Sequence, residues 1–266
     1  MRRIMLKVAY DGTNYSGWQW QPNGITIEEV LNRELSRLLK EEIHVRGTSR
    51  TDAGVHALGN LCIFDTETRI PAEKICYAIN YSLPEDIVVQ DSCEVPMNYH
   101  PRKCVSVKTY EYTISRGRFP NPLNRRYAYA YYMPMDLEKM REAAAYLVGE
   151  HDFKSFCSKR TEVESTVRTI LGIDIREEGD RVILRIRGTG FLYNMVRIIV
   201  GTLLDVGRGV YPPEHVREIL EAQDRAAAGR KVPAEGLCLM EIALAMTPWE
   251  WAAEEAKKAL ADTEKL

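Results

Sequence analysis

The segment Arg50–Ala57 holds charged side chains close together around a glycine, an arrangement that is suited to catalysis. It places one carboxylate, Asp52, two residues after Arg50 and two residues before Gly54. Gly54 can adopt the positive φ of a tight turn, and a guanidinium a few Å from a carboxylate favours the ionised form of the acid. An ionised aspartate held in a turn is suited to act as a nucleophile or an electrostatic stabiliser. Asp-Ala-Gly is also typical of an ordinary turn between strands, so these residues alone leave both interpretations open.

Four segments together resemble a known family, the bacterial tRNA pseudouridine synthase A family. They are Gly47–Ala57, Lys108–Tyr112, Phe191–Arg197 and Glu235–Leu237. The resemblance runs over nearly the whole chain; Ser49 departs from it, standing where a glycine is common in the family. The resemblance implies an isomerase that converts uridine to pseudouridine at positions 38, 39 and/or 40 in the anticodon stem-loop of tRNA.

The resemblance also implies three catalytic residues. Asp52 matches the nucleophile, Arg197 matches the arginine that pairs with its carboxylate, and Tyr110 matches the tyrosine that binds the base. Arg197 is the only basic residue in the apolar stretch 191–206, and a buried arginine almost requires an acidic partner; the alternative is an arginine that extends from the helix end to solvent. A phenol with a pKa near 10 is a poor base, so stacking on an extracted base is the safer role for Tyr110 than proton abstraction.

Substrate binding is expected to involve Tyr110, Arg50 and Arg102. The guanidinium of Arg50 can occupy the space that a flipped uridine leaves, or hold the RNA backbone. Arg102 is a candidate phosphate contact. Trp18 and Trp20 are also open to two interpretations, because they can line an RNA face or pack against the first helix.

Composition indicates a soluble globular protein that is not a general nucleic-acid binder. The chain has 266 residues, is 45% hydrophobic and 28% charged, and carries a net charge of −2, whereas general binders are strongly basic. Charge is unevenly distributed along the chain: residues 100–126 contain seven arginines and lysines and only one acid, Glu111. Such a local basic face can contact phosphates, or it can be an ordinary solvated surface.

Several absences are expected from the sequence. The six cysteines are far apart with no Cys-x-x-Cys pair, which predicts reduced cysteines and a cytoplasmic protein. We expect no metal, because no ligand spacing fits one, and no cofactor, because the rearrangement is isomeric. We also expect neither a signal peptide nor a membrane span. The partner implied by the resemblance is tRNA, bound by a homodimer.

The pattern of elements favours the α+β class. Ile4–Tyr10 alternates as a strand, Thr26–Glu29 is a capping box that begins a helix, and Phe191–Val206 is an apolar helix. Strands that alternate with helices, with adjacent strands joined by short turns, predict an α+β protein. The resemblance implies two ferredoxin-like, RRM-like halves that share a mostly antiparallel central sheet flanked by helices. We expect residues 1–102 to carry the Asp52 loop and residues 103–266 to carry the tyrosine strand and the arginine helix.

Two other functional classes remain as alternatives. A catalytically silent RNA-binding module can use the basic segment, but binding alone does not need Asp52, Tyr110 and Arg197 together. A retaining glycosidase needs a second carboxylate roughly 5 Å from the first, and no paired acid accompanies Asp52 in the four segments.

Overall fold

The computed structural model of the protein describes residues 1–158 and 163–263, with side chains up to residue 257. The strands are β1 (Arg2–Tyr10), β2 (Arg46–Gly47), β3 (His56–Thr66), β4 (Ile87–Val95), β5 (Ser106–Ser115), β6 (Tyr129–Ala130), β7 (Gly149–Asp152), β8 (Val167–Glu178), β9 (Arg181–Gly188) and β10 (Leu237–Leu244). The helices are α1 (Ile27–Leu39), α2 (Ala72–Asn80), α3 (Leu137–Ala145), α4 (Met195–Gly207), α5 (His215–Ala222) and α6 (Pro248–Thr263).

Two compact units divide the chain, and unit 1 comprises residues 1–106 and the chain from residue 241 onward. Its elements run β1-α1-β2-β3-α2-β4, with strand order β4-β1-β3 and with β2 also on β3. These strands pair antiparallel. This is the βαββαβ arrangement of a ferredoxin-like unit.

The start of α1 follows from local sequence. The Thr26 hydroxyl accepts a hydrogen bond from the Glu29 amide at 3.2 Å, which satisfies one of the amides that a helix N-terminus leaves unpaired. The predicted N-terminus is therefore confirmed. The helix then buries an apolar stripe that includes Ile27, Leu31 and Leu35, each 0% exposed.

Unit 2 comprises residues 107–240. Its elements run β5-β6-α3-β7-β8-β9-α4-α5 and end in the first residues of β10, and the strand order is β10-β5-β9-β8-β7. Without the short β6 and β7 and the helix α5, this is again a βαββαβ order. The pairs β5–β9, β8–β9 and β7–β8 are antiparallel, and only the short β6 is known to pair in parallel, with β5, among the described pairings. Every residue of α4 except Asp205 is buried, as its apolar sequence predicts.

The α4 helix begins four residues later than predicted. Leu192 to Met195 form a turn, in which the Met195 amide donates to the Leu192 carbonyl at 3.0 Å, and Asn194 has φ 62°. Asparagine tolerates this left-handed conformation better than most residues. The apolar run continues through the turn, so hydrophobicity alone did not mark the boundary.

The α+β class is confirmed, with a large and mostly antiparallel sheet and six helices among the described residues. The division at residues 102 and 103 stays a prediction. No helix in the described part of the chain is long and apolar enough to cross a membrane.

Candidate active site

The loop between β2 and β3 carries Asp52. The Val55 amide donates to the Asp52 carbonyl at 3.1 Å, and Gly54 has φ 77°, so the tight turn predicted at this glycine is confirmed. Asp52 itself is partly exposed. A main-chain hydrogen bond thus closes the turn at Asp52.

Two glycines outside the predicted motif let the backbone pack closely against this loop. A Cβ on Gly12 would lie 2.0 Å from the Val55 carbonyl oxygen, and one on Gly17 would lie 2.6 Å from the Thr51 carbonyl oxygen. The Trp18 amide donates to that same Thr51 oxygen at 3.1 Å. The Asp52 turn is therefore held by main-chain contacts on both sides.

We expect Gly12→Ala to destabilise the protein by about 2–4 kcal/mol, since the added methyl group overlaps a backbone oxygen that cannot move without displacing the turn. Gly172→Ala is the matched control, because the nearest atom to its Cβ is the Arg187 side chain at 3.8 Å. Urea unfolding of both variants measures the difference. Equal unfolding free energies would contradict the packing described for Gly12.

Polar side chains beneath the loop hold it further. Asn60, which is 0% exposed, donates through Nδ2 to the Ser49 carbonyl at 3.0 Å. The Tyr10 hydroxyl lies 2.7 Å from Thr51 Oγ1. These residues were missed in the sequence, although an asparagine beside the apolar run that follows it in β3 is the signal that could have found one of them, because buried polar groups need partners.

Arg50 and Arg102 lie close together at the surface of unit 1. Both residues are exposed, and Arg102 Nε donates to the Gly47 carbonyl at 2.8 Å. Desolvation lowers the pKa of Arg102, and the nearby charge of Arg50 lowers this pKa further. Two guanidiniums that repel each other favour an anion between or beside them, such as a phosphate.

Tyr110 lies on β5 in unit 2. Its side chain is 6% exposed, and its ring meets that of Phe191 edge to face, with centroids 5.2 Å apart. Tyr112 is 0% exposed on the same side of the strand, and its hydroxyl donates to the Pro233 carbonyl at 2.8 Å. Burial raises the pKa of Tyr112 far above its ordinary value, so this second tyrosine is a core residue.

The Glu235–Leu237 segment contacts this tyrosine. A Cβ on Gly236 would lie 2.7 Å from Tyr112 Cζ and 2.8 Å from the Thr113 carbonyl oxygen, and the Thr113 amide donates to the Gly236 carbonyl at 2.8 Å. Only a glycine fits this approach. The fourth matching segment is therefore explained by packing.

Arg197 lies in the first turn of α4 and is 8% exposed. Its Nε donates to the Val232 carbonyl at 2.8 Å, and its Nη1 donates to Asn194 Oδ1 at 3.2 Å. This burial contradicts the alternative in which the side chain extends to solvent. Burying a charged guanidinium costs free energy, so packing alone does not account for an arginine at this position.

The tryptophans divide between the two interpretations. Trp18 is 1% exposed and belongs to the core, whereas Trp20 is 59% exposed.

The site residues predicted from the sequence lie in both units: Asp52, Arg50 and Arg102 belong to unit 1, and Tyr110 and Arg197 belong to unit 2. Within residues 1–158 and 163–263, no three His, Cys, Asp or Glu side chains are grouped as metal ligands.

Comparison with known proteins assigns the chain to a family. The model of the tRNA pseudouridine synthase family matches residues 7–102 and 143–243. A tRNA pseudouridine synthase A from Brevibacillus brevis is 47% identical over 242 residues, which are 91% of this chain and 99% of the relative. One from Clostridium kluyveri is 46% identical over the same shares. The chain therefore belongs to the tRNA pseudouridine synthase A family, whose enzymes are isomerases.

Proposed function

We propose that this tRNA pseudouridine synthase modifies uridines at positions 38, 39 and/or 40 in the anticodon stem-loop. The family membership supports the reaction, and the resemblance of the four motifs supports the positions. In the reaction the bond between ribose C1′ and uracil N1 breaks, the uracil rotates, and C1′ bonds to C5. The C5 proton then leaves and N1 gains one, so atoms and electrons balance without a cofactor.

Asp52 is proposed as the nucleophile. The observation that supports this most is the construction of its turn, in which Gly12 and Gly17 approach the backbone on both sides while Asp52 stays partly exposed. A fixed carboxylate can add to C1′ or to uracil C6, or promote elimination of the base, and leave again. These three routes share the requirement that Asp52 be ionised.

Arg197 is proposed to pair with that carboxylate, and Tyr110 to stack on the extracted base or take the C5 proton. The burial of Arg197 supports the first role, since a buried guanidinium is stabilised by an anion. The edge-to-face contact with Phe191 supports the second, because it fixes the plane of the Tyr110 ring. A fixed ring stacks on a base at little cost in side-chain entropy.

Arg50 and Arg102 are proposed to bind the RNA. Their mutual repulsion is relieved when a phosphate lies beside them, and Arg50 directly precedes the Thr51-Asp52 pair. Arg50 is thus placed to hold the backbone of a flipped uridine or to fill the space it leaves.

We further propose that the enzyme acts in the cytoplasm as a homodimer that binds tRNA, with residues 1–102 supplying the nucleophile and residues 103–266 supplying the tyrosine and the buried arginine. These proposals rest on the family resemblance of the four motifs.

Tritium release tests the proposed positions. A tRNA transcript labelled at uracil C5 loses one tritium for each uridine isomerised, so the label released counts the sites. We expect release from a transcript with uridines at 38–40 and none from one in which these uridines are cytidines. Equal release from both transcripts would keep the reaction class and contradict the positions.

A further inference from the structure

The C-terminal helix α6 lies outside the region that the family model matches. That match ends at residue 243, and α6 begins at Pro248. Its start is well defined: the Glu250 amide donates to Thr247 Oγ1 at 3.2 Å, and the Thr247 amide donates to Glu250 Oε2 at 2.8 Å. This reciprocal capping box fixes the start of the helix, and the family match says nothing about what α6 does.

One face of α6 is docked on unit 1. Trp251 and Ala252 are 8% and 9% exposed, and the Trp251 ring meets that of Tyr99 edge to face, with centroids 5.5 Å apart and planes at 84°. The cluster they join is a core of buried residues: Ile63, Val95, Tyr99, Cys104, Trp251 and Ala252. A buried tryptophan removes a large apolar surface from water, so this contact holds the segment beneath it.

The segment beneath α6 is the turn that carries Arg102. The Tyr99 amide donates to the Pro96 carbonyl at 2.9 Å, and the Lys103 amide donates to the His100 carbonyl at 2.9 Å. Tyr99 is 0% exposed, and its carbonyl accepts a hydrogen bond from Arg3 Nη1 at 2.8 Å. Three residues after this anchored tyrosine, Arg102 donates to Gly47 at 2.8 Å.

Gly47 opens the loop that leads to Arg50 and Asp52. A Cβ on Gly47 would lie 2.2 Å from Trp18 Nε1, so the buried indole packs directly against the Gly47 backbone and leaves no room for a side chain. One connected path therefore runs within unit 1: Trp251 packs on Tyr99, the turn after Tyr99 leads along the chain to Arg102, and Arg102 donates to Gly47. It begins on α6 and ends at the loop that carries the nucleophile.

We propose that α6 is a brace for RNA binding, in which Trp251 packs on Tyr99 and thereby positions Arg102. Trp251 is a positioning residue: it acts through Tyr99 and the turn, and Arg102 makes the contact with a tRNA phosphate. The inference rests on the proposed function only in taking tRNA as the ligand of Arg102.

The test is tRNA affinity of the full-length protein, measured by filter binding to an unmodified transcript at several salt concentrations. We expect Trp251→Ala to raise Kd about threefold or more, and Arg102→Ala to raise it about tenfold, the scale of one lost charge-assisted hydrogen bond. Both changes should also reduce the slope of log Kd against log salt by about one phosphate contact. The double variant should bind like Arg102→Ala alone, because both changes remove the same contact.

Trp249→Ala is the matched control, since Trp249 lies on the same helix and is 62% exposed. It should bind tRNA like the wild type. If Trp251→Ala does not fold, Trp251→Leu keeps apolar volume without the ring edge and should show the same rise in Kd. A rise in KM with kcat nearly unchanged is expected for each folded variant, because the brace acts on binding.

Two outcomes would overturn the brace. In one, folded Trp251→Ala or Trp251→Leu binds tRNA with the wild-type Kd and salt slope. In the other, the effects of Trp251→Ala and Arg102→Ala add. Failure of the proposed function is distinguishable, because it is read from wild-type tritium release rather than from affinity.

Discussion

Asp52→Ala is expected to abolish pseudouridine formation, with a loss in kcat on the order of 10⁴-fold or more, the scale seen when a nucleophile is removed. tRNA affinity should stay within about twofold, because removing the nucleophile slows the chemical step but leaves the other contacts with the tRNA in place. The fold should also persist, since the Val55 amide donates to the Asp52 carbonyl, a main-chain hydrogen bond that the substitution leaves in place. Single-turnover rates and filter binding on the same preparation measure both quantities.

Asp52→Asn tests the charge of the side chain separately from its size. The amide keeps the size of the side chain and removes only its charge, so we expect the same loss of turnover. Asp91→Asn is the matched control, because Asp91 is an exposed aspartate of the same unit on β4. If Asp52→Asn kept a large part of wild-type activity, or if both Asp52 variants unfolded, the carboxylate would have a structural role instead.

Arg197→Met is expected to lower kcat by about 10²–10³-fold, the range observed when a residue that stabilises charge at an active site is removed. Methionine keeps most of the apolar stem, but the contacts to Val232 and Asn194 are lost. If Arg197 pairs with Asp52 as proposed, loss of the cation should raise the pKa of the Asp52 carboxyl, since an opposite charge favours ionisation. The acid limb of the kcat–pH profile should therefore move to higher pH.

The pH profile separates pairing from packing. A variant that only loosened α4 would lose stability and activity without moving the acid limb. Arg208→Met is the control, because Arg208 caps the C-terminal end of the same helix and its side chain is 34% exposed. An unchanged acid limb in folded Arg197→Met would contradict the proposed pairing with Asp52.

Local signals predicted the elements that local chemistry determines. The Thr26 capping box predicted the start of α1, and Gly54 predicted the turn after Asp52. In both cases a side chain or a missing Cβ fixes the backbone within a few residues. The α+β class followed in the same way, from strands and helices whose periodicity reflects burial on one face.

Contacts between residues that are distant in the chain could not be predicted from the sequence. Nothing near Gly12 in the sequence indicates that Val55 approaches it, and nothing near Asn60 indicates that Ser49 needs its amide. The packing of α6 was missed for the same reason, because its acidic composition gave no sign of the contact between Trp251 and Tyr99. Such features depend on residues that are distant in the chain and close in the fold.

The most direct measurement maps pseudouridine site by site in an unmodified tRNA transcript, by carbodiimide labelling and primer extension, after incubation with wild type or Asp52→Ala and without metal or nucleotide. We expect stops confined to positions 38–40 with the wild type, and none with the variant. Modification by both proteins would contradict Asp52 as the nucleophile. No modification by the wild type, with tight tRNA binding, would contradict the proposed activity and favour a silent RNA-binding module.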